Sequence, residues 1–456
     1  MKQSYSMETM INDRSAEQLT TQNIMLCSLA VAAVVCYAHI TGSRVILLFG
    51  LASFFAVTIW ATYASKAMNV LLFFLPWSPL IKVSRNSYAL FTFALLVICT
   101  ICLIRNGFNI KKYQIIVPSI IVLETLFAKL IQGNSLSNAY LFFMTMLVLF
   151  PCIMDETLTD ISLYDNTVFF ATGIISAALT AQRIAVYPNI SAYITIDSYQ
   201  MITRLSGFYG DPNFYSAQIT ACFAGVQILL INEEKRNRRI LLSVIAVLLF
   251  YCGMLSASKT FAVVFAISML FWTLIILDKE NRGNALFRIT FGIAIAVGLI
   301  LSSSEFTRLF QIITERFSFY STASEITTHR TDLWLMYLRE FSRNPKMVFL
   351  GEGFTNINLN KKASHNTLIQ GIYQFGLIGF PILLEWIRLS MNKLLSKTAY
   401  RFTNKKYVLL LCVGILLPWL SLDILFFDEF FLLPFYAGCA VLYSSNSKEE
   451  VKNAAQ

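Results

Sequence analysis

Three side chains offer chemistry in a chain that is otherwise mostly apolar: His365, Arg204 and Arg330. His365, one of three histidines, directly precedes the hydrophobic stretch NTLIQGIYQFGLIGF at 366–380. At a helix N-terminus the backbone dipole disfavours the imidazolium, leaving a neutral ring able to accept a proton. Arg204 lies just upstream of D-P-N at 211–213, where Asp211 reads as an N-cap and Pro212 as the first helical position. An arginine beside an exposed helix N-terminus suits a diphosphate or carboxylate. Its guanidinium forks onto two oxygens, and the terminal N–H groups favour anions. Arg330 falls in the first turn of an amphipathic pattern, TTHRTDLWLMYLREFSRNP, where a cation opposes the helix dipole and an anion would offset it. Each residue also has a plainer reading. His365 can cap a helix, Arg204 can pair with an acidic neighbour or a lipid headgroup, and Arg330 can be an exposed cation on an interfacial helix.

Positioning these residues falls to membrane spans. Hydrophobic residues make up 56% of the 456-residue chain and charged residues 14%, and the mean hydropathy is +0.62. A soluble domain carries roughly a quarter charged residues. The composition predicts an all-α, polytopic integral membrane protein. The net charge of +10 does not point to nucleic acid, because the basic residues cluster in short loops between spans, where they set orientation. The nine cysteines lie almost wholly in apolar stretches. Cys99 and Cys102 form a CxxC inside a hydrophobic run, which reads as a helix face rather than a redox or zinc site. No disulfide is expected.

A crossing helix takes about 17 to 25 mostly apolar residues. Candidate spans are 24–40, 45–63, 67–81, 88–104, 114–131, 138–153, 167–186, 213–231, 240–256, 261–277, 287–301, 366–386, 407–422 and 430–443. The count is about 12 to 14. Pro76 and Pro79 break the third span, which admits a re-entrant segment, and only DILFFDE separates the last two, which suits a helical hairpin. Basic residues concentrate at Arg105, Lys111 and Lys112 and in the loops 232–239, 278–283 and 388–406. By the positive-inside rule those loops are cytoplasmic. The chain then divides into a cytoplasmic leader (1–23), expected to be retained, an N-terminal bundle (24–186) and a first outward loop (187–212). Central helices (213–301), a large outward loop (302–365), C-terminal helices (366–443) and a cytoplasmic tail (444–456) follow.

The two outward loops hold the polar sequence. In the first, Gly207 and Gly210 permit a tight turn before the helix that opens at D-P-N. In the second, Leu333, Tyr337, Leu338 and Phe341 recur at helical spacing with Trp334 beside them, and Asn344-Pro345 closes the pattern. This predicts a surface helix lying on the outer leaflet or covering a cavity. GEGF at 351–354 is a turn, Ser364 or His365 opens the next span, and Gly371, Gly376 and Gly379 thin that span for close packing.

Taken in order, R-x-x-G-x-x-x-D-P-N from Arg204, S-x-S-K at 256–259, H-R-T-D-L-W from His329, N-P-x-x-x-x-x-G-E-G-F from Asn344 and H-N-x-L from His365 resemble the O-antigen ligase and O-antigen polymerase superfamily. The resemblance covers roughly residues 200–385. It implies a GT-C-like glycosyltransferase that moves glycan from an undecaprenyl diphosphate carrier at the outer face of the bacterial inner membrane. Arg204 and Arg330 then match the family's diphosphate-binding arginines, and His365 matches its essential histidine. Asp211, Asn213, Lys259, Trp334 and Asn366 are further substrate-binding candidates within the same motifs. Lys259 departs from the pattern, since the family often has arginine there. The implied reaction is a single inverting displacement with no cofactor and no metal. The cations stabilise the leaving diphosphate and a base takes the acceptor proton. Glu315, Glu325, Asp332, Glu340 and Glu352 also lie in the large loop and compete with His365 for the role of base.

A polymerase adds its glycan to another carrier-linked repeat unit, whereas a ligase adds it to lipid A–core. The span count, two outward loops and extra C-terminal spans favour the polymerase. Implied partners are the lipid-linked donor, the glycan acceptor, membrane lipid, a chain-length regulator and a flippase. A polysaccharide transporter is the reading from another class. It calls for internal repeats and broken helices with polar residues near the midplane.

Overall fold

The computed structural model describes residues 2–133, 162–197, 204–279, 304–318, 329–353, 359–390 and 405–423, apart from one or two adjacent positions at a few places within them, and isolated residues elsewhere. The described chain is helical. Its only strands are Ile196–Asp197 (β1) and Arg204–Leu205 (β2), an antiparallel ladder pairing Ile196 with Leu205 and Asp197 with Arg204. In order come α1 (Lys2–Thr41), α2 (Arg44–Tyr63), α3 (Ala67–Phe74), α4 (Leu90–Arg105), α5 (Lys112–Gln132) and α6 (Leu163–Ile184). Then follow α7 (Pro212–Asn232), α8 (Arg236–Leu255), α9 (Lys259–Lys279), α10 (Ser304–Ser318), α11 (Arg330–Arg343), α12 (Pro345–Leu350), α13 (Thr367–Ser390) and α14 (Lys405–Trp419).

Among the described residues, eight helices are long and apolar enough to cross a membrane, and three shorter apolar helices accompany them. This is a multi-pass membrane protein. The expected spans 138–153, 287–301 and 430–443 lie almost wholly outside the described residues. Among the described residues, no disulfide joins two cysteines. α7 is the central helix: 89% of its most apolar window is buried, against 28–56% in the other long helices. It packs on α6, α8, α9 and α14.

Contacts between helix ends fix which ends share a side. At one end, Lys66 Nζ lies 3.0 Å from Glu17 and 3.7 Å from Asp165. Arg105 donates to the Thr62 carbonyl at 3.0 Å, Arg238 stacks 4.5 Å over the Tyr164 ring, and Lys406 pairs with Asp278. At the other end, His39 meets the Leu80 carbonyl at 2.8 Å and Asn189 donates to the Ile40 carbonyl at 3.1 Å. These groupings match an alternating path through every described span. The basic loop 232–239 falls on the first end and Arg204 on the second.

The segment with Pro76 and Pro79 runs from one end of the bundle to the other. α3 ends at Phe74 and continues as a 3₁₀ helix, Leu75–Leu80. A 3₁₀ turn rises about 2.0 Å per residue against 1.5 Å in an α-helix, so these 14 residues reach about 24 Å. Lys66 at its start belongs to one end of the bundle and Leu80 to the other.

α13 also departs from expectation. Gly376 does not merely thin the helix but breaks it, at φ 64° and ψ −177°. The turn after α12 wedges into the break: a side chain at Gly376 would meet the Phe349 carbonyl oxygen at 2.2 Å, and the Glu352 N–H donates to the Tyr373 carbonyl at 2.7 Å. Only glycine adopts this backbone at this approach without strain.

Candidate functional site

The first loop folds as its sequence predicts near the helix start. Gly207 sits at φ +60°, Asp211 caps α7 by accepting from the Asn213 N–H at 2.7 Å, and Pro212 is the first helical residue. Gly210 lies outside the described residues. β2 carries Arg204 back beside this helix end, where its side chain is buried. Arg204 Nε donates to the Ser256 carbonyl at 3.2 Å and Nη2 to Asn213 Oδ1 at 3.3 Å. The Ser256–Ser258 turn between α8 and α9 therefore helps hold the guanidinium. Lys259 opens α9 immediately after that turn.

α11 begins at Arg330, after His329 at φ 61°. It packs its Tyr337–Phe341 face on Met347 and Tyr373, while Leu338 on the same expected stripe stays 52% exposed. The helix covers the loop that leads to His365. The Trp334 indole N–H donates to the Ser364 carbonyl at 3.1 Å and the Tyr337 hydroxyl to the Lys362 carbonyl at 2.7 Å. Trp334 thus holds the turn before His365.

Arg330 arrives from this covering helix at the same place as Arg204. Burial pushes its guanidinium pKa down, the carboxylates of Asp211 and Asp423 push it back up, and the charge of Arg204 lowers it further. The two arginines, 126 positions apart in the chain (330 − 204), lie within electrostatic reach of each other. Like charges gathered in a partly buried pocket repel unless an anion lies between them or carboxylates offset them. Here two carboxylates flank the pair.

Asp423 is the residue that sequence reasoning missed. It follows α14 and is buried. Its Oδ1 accepts from the Asn366 N–H at 2.8 Å and from the Ser364 hydroxyl at 3.2 Å. Burial raises its carboxyl pKa above the usual 3.8; the His365 charge, the Ser364 hydroxyl and the Asn366 and His365 N–H groups act against that rise. His365 itself stands at φ 50°, a left-handed backbone uncommon outside glycine. Such backbone persists where surrounding bonds over-determine it, and it clusters at functional sites.

The helix start is one or two residues later than expected. Neither Ser364 nor His365 caps α13. Asn366 does, accepting from the Leu368 and Ile369 N–H groups at 3.0 and 3.1 Å while its Nδ2 donates to the Leu420 carbonyl at 3.2 Å. The Asn366 amide is thereby committed to positioning. His365 precedes the cap and is half-buried, within electrostatic range of Asp423.

The described loop carboxylates lie elsewhere. Asp332 is exposed and contacts His329 Nδ1 at 3.3 Å, and Glu352 is buried within electrostatic range of Lys129. Glu315 is exposed on α10, and Glu325 is outside the described residues. Glu340 lies near Tyr373. Among the described residues, no three His, Cys, Asp or Glu side chains gather in a metal-holding group.

No protein-family model matches this chain, and no curated protein matches it. The site is therefore read from its own chemistry. It joins two guanidinium groups, one imidazole and two carboxylates from five chain segments at one end of the bundle. Its guanidinium groups suit an oxyanion and its imidazole can accept a proton.

Proposed function

We propose that the protein is a GT-C-like membrane glycosyltransferase of the polysaccharide polymerase type. It transfers an undecaprenyl-diphosphate-linked glycan onto a carrier-linked repeat unit at the outer face of the bacterial inner membrane. The observation that carries this reading is the meeting of Arg204, Arg330, His365 and Asp423 at the end of the bundle opposite the basic loop 232–239. The motif order that resembles the O-antigen ligase and polymerase superfamily supports it.

In the proposed step the acceptor hydroxyl oxygen attacks the anomeric carbon of the donor glycan. The bond from that carbon to the diphosphate oxygen breaks, and its electron pair leaves with the lipid diphosphate. Arg204 and Arg330 stabilise the charge that develops there. The acceptor proton passes to the His365 ring, and Asp423 stabilises the imidazolium so formed. Attack from the face opposite the leaving group inverts the anomeric centre.

A transporter reading draws on a different observation: the broken α13 beside Glu124 and Lys129, both buried in α5. Formation of polymer by purified protein in nanodiscs separates the two. His365→Ala should leave donor binding near wild type and lower turnover per folded molecule by about 10²- to 10⁴-fold. Turnover within about threefold of wild type removes His365 as the base. In cells, loss of the gene should leave one repeat unit on lipid A–core; free polymer on carrier lipid with bare core would identify a ligase instead.

A further inference from the structure

We infer that Ser258 is a positioning residue for the proposed transfer: it fixes the Asn213 amide so that Asn213 Oδ1 orients the Arg204 guanidinium toward the donor diphosphate. The inference rests on the proposed role of Arg204.

The Asn213 side chain has two ends of opposite polarity, an acceptor oxygen and a donor NH₂ group. Only the oxygen suits a guanidinium, which has donors alone. Arg204 Nη2 reaches Asn213 Oδ1 at 3.3 Å, and the Ser258 hydroxyl donates to that same oxygen at 2.8 Å. The second bond is the shorter one and selects the orientation. Without it, rotation of the amide places the Asn213 NH₂ against the guanidinium, donor against donor.

Ser258 is itself held. Its oxygen accepts from the Ser216 hydroxyl at 3.3 Å and from the Phe261 N–H at 3.3 Å, and its N–H donates to Ser256 Oγ at 3.3 Å. Between the two serines Ala257 stands at φ 45°, a left-handed backbone costly for a residue with a Cβ. The tight turn places the Ser256 carbonyl on Arg204 Nε and the Ser258 hydroxyl on Asn213 at once. Ser216, Ser256 and Ser258 are all fully buried. The turn accounts for a serine motif before α9 independently of any charge on Lys259.

The test measures donor KM and turnover of full-length protein in nanodiscs, using lipid diphosphate-linked repeat unit, with folded protein quantified by size exclusion. Ser258→Ala should raise donor KM about three- to tenfold, the range of one lost neutral hydrogen bond, and Ser258→Thr, which keeps the hydroxyl, should recover most of it. Asn213→Asp keeps both accepted bonds and the side-chain size but places a carboxylate on Arg204. It should raise donor KM at least as much. A packing role alone predicts wild-type KM in folded Asn213→Asp. Wild-type donor KM in both Ser258→Ala and Asn213→Asp, with Arg204→Ala raised, overturns the inference. Wild-type KM in Arg204→Ala would instead overturn the reading of Arg204 itself.

Discussion

Asp423 Oδ1 accepts the backbone N–H of Asn366 at 2.8 Å, so a carboxylate at the end of one helix fixes the turn that begins another. The same oxygen takes the Ser364 hydroxyl, and the Thr367 hydroxyl donates to the neighbouring Leu422 carbonyl at 2.5 Å. His365 lies between Ser364 and Asn366, and its backbone N–H also serves Asp423. The imidazole is therefore carried on a turn gripped on both sides by one carboxylate. In the proposed reaction this orients the base and supplies the charge that an imidazolium needs.

Activity should depend on the ionisation of Asp423. Burial raises its carboxyl pKa above 3.8, so the pH–rate profile should lose activity on the acid side above the ordinary aspartate range. Asp423→Asn should lower turnover and remove the contribution of this carboxylate to that acid limb. For stability the sign is opposite. The folded state binds this proton more tightly than the unfolded chain, so this contribution to stability is present below pH 3.8 and declines as pH rises through the raised folded value. An unchanged acid limb in Asp423→Asn would show that another group titrates.

The two arginines should be intolerant of lysine. Lysine keeps the charge but loses the planar fork and, at Arg204, the defined donation to Asn213 and Ser256. Arg204→Lys and Arg330→Lys should each raise donor KM by about tenfold or more, the scale of a charge-assisted hydrogen bond. Normal kinetics in both variants would rule out a two-oxygen grip on the diphosphate.

Sidedness is open to direct labelling. Asn189 and Asn237 are both exposed and lie at opposite ends of the bundle. On a cysteine-free background, Asn189→Cys should react with an impermeant maleimide from outside whole spheroplasts, and Asn237→Cys only after lysis. Reaction of Asn237→Cys from outside would invert the topology and place the site in the cytoplasm.

The break in α13 should resist repair. Gly376→Ala puts a Cβ on a backbone at φ 64° and 2.2 Å from the Phe349 oxygen. The expected cost is about 2 kcal/mol or more, read as a clear fall in melting temperature in detergent. A variant that melts like wild type would mean that this helix can run straight through.

Hydrophobic length alone determined that this is a helical membrane protein and where most described spans lie, because crossing hydrocarbon demands long apolar helices with few other solutions. The start of α7 was equally legible: Asp211, Pro212 and Asn213 carry a local capping signal that needs no partner. Arg204 and His365 stood out because each lies just before an apolar stretch, and Arg330 because it opens an amphipathic helical pattern in the large loop. Other features were settled by distant contacts. Asn366 rather than Ser364 caps α13 because Leu420 and Asp423, more than fifty residues away, bind its other polar atoms. Gly376 breaks the helix because the Gly351–Gly353 turn packs into it from another segment. Asp423 looked like part of a short connector, since an aspartate after a span is ordinary in sequence. Only the packing of α14 against the rest of the bundle carries that carboxylate under His365, and burial there gives it a charge environment that no local pattern encodes.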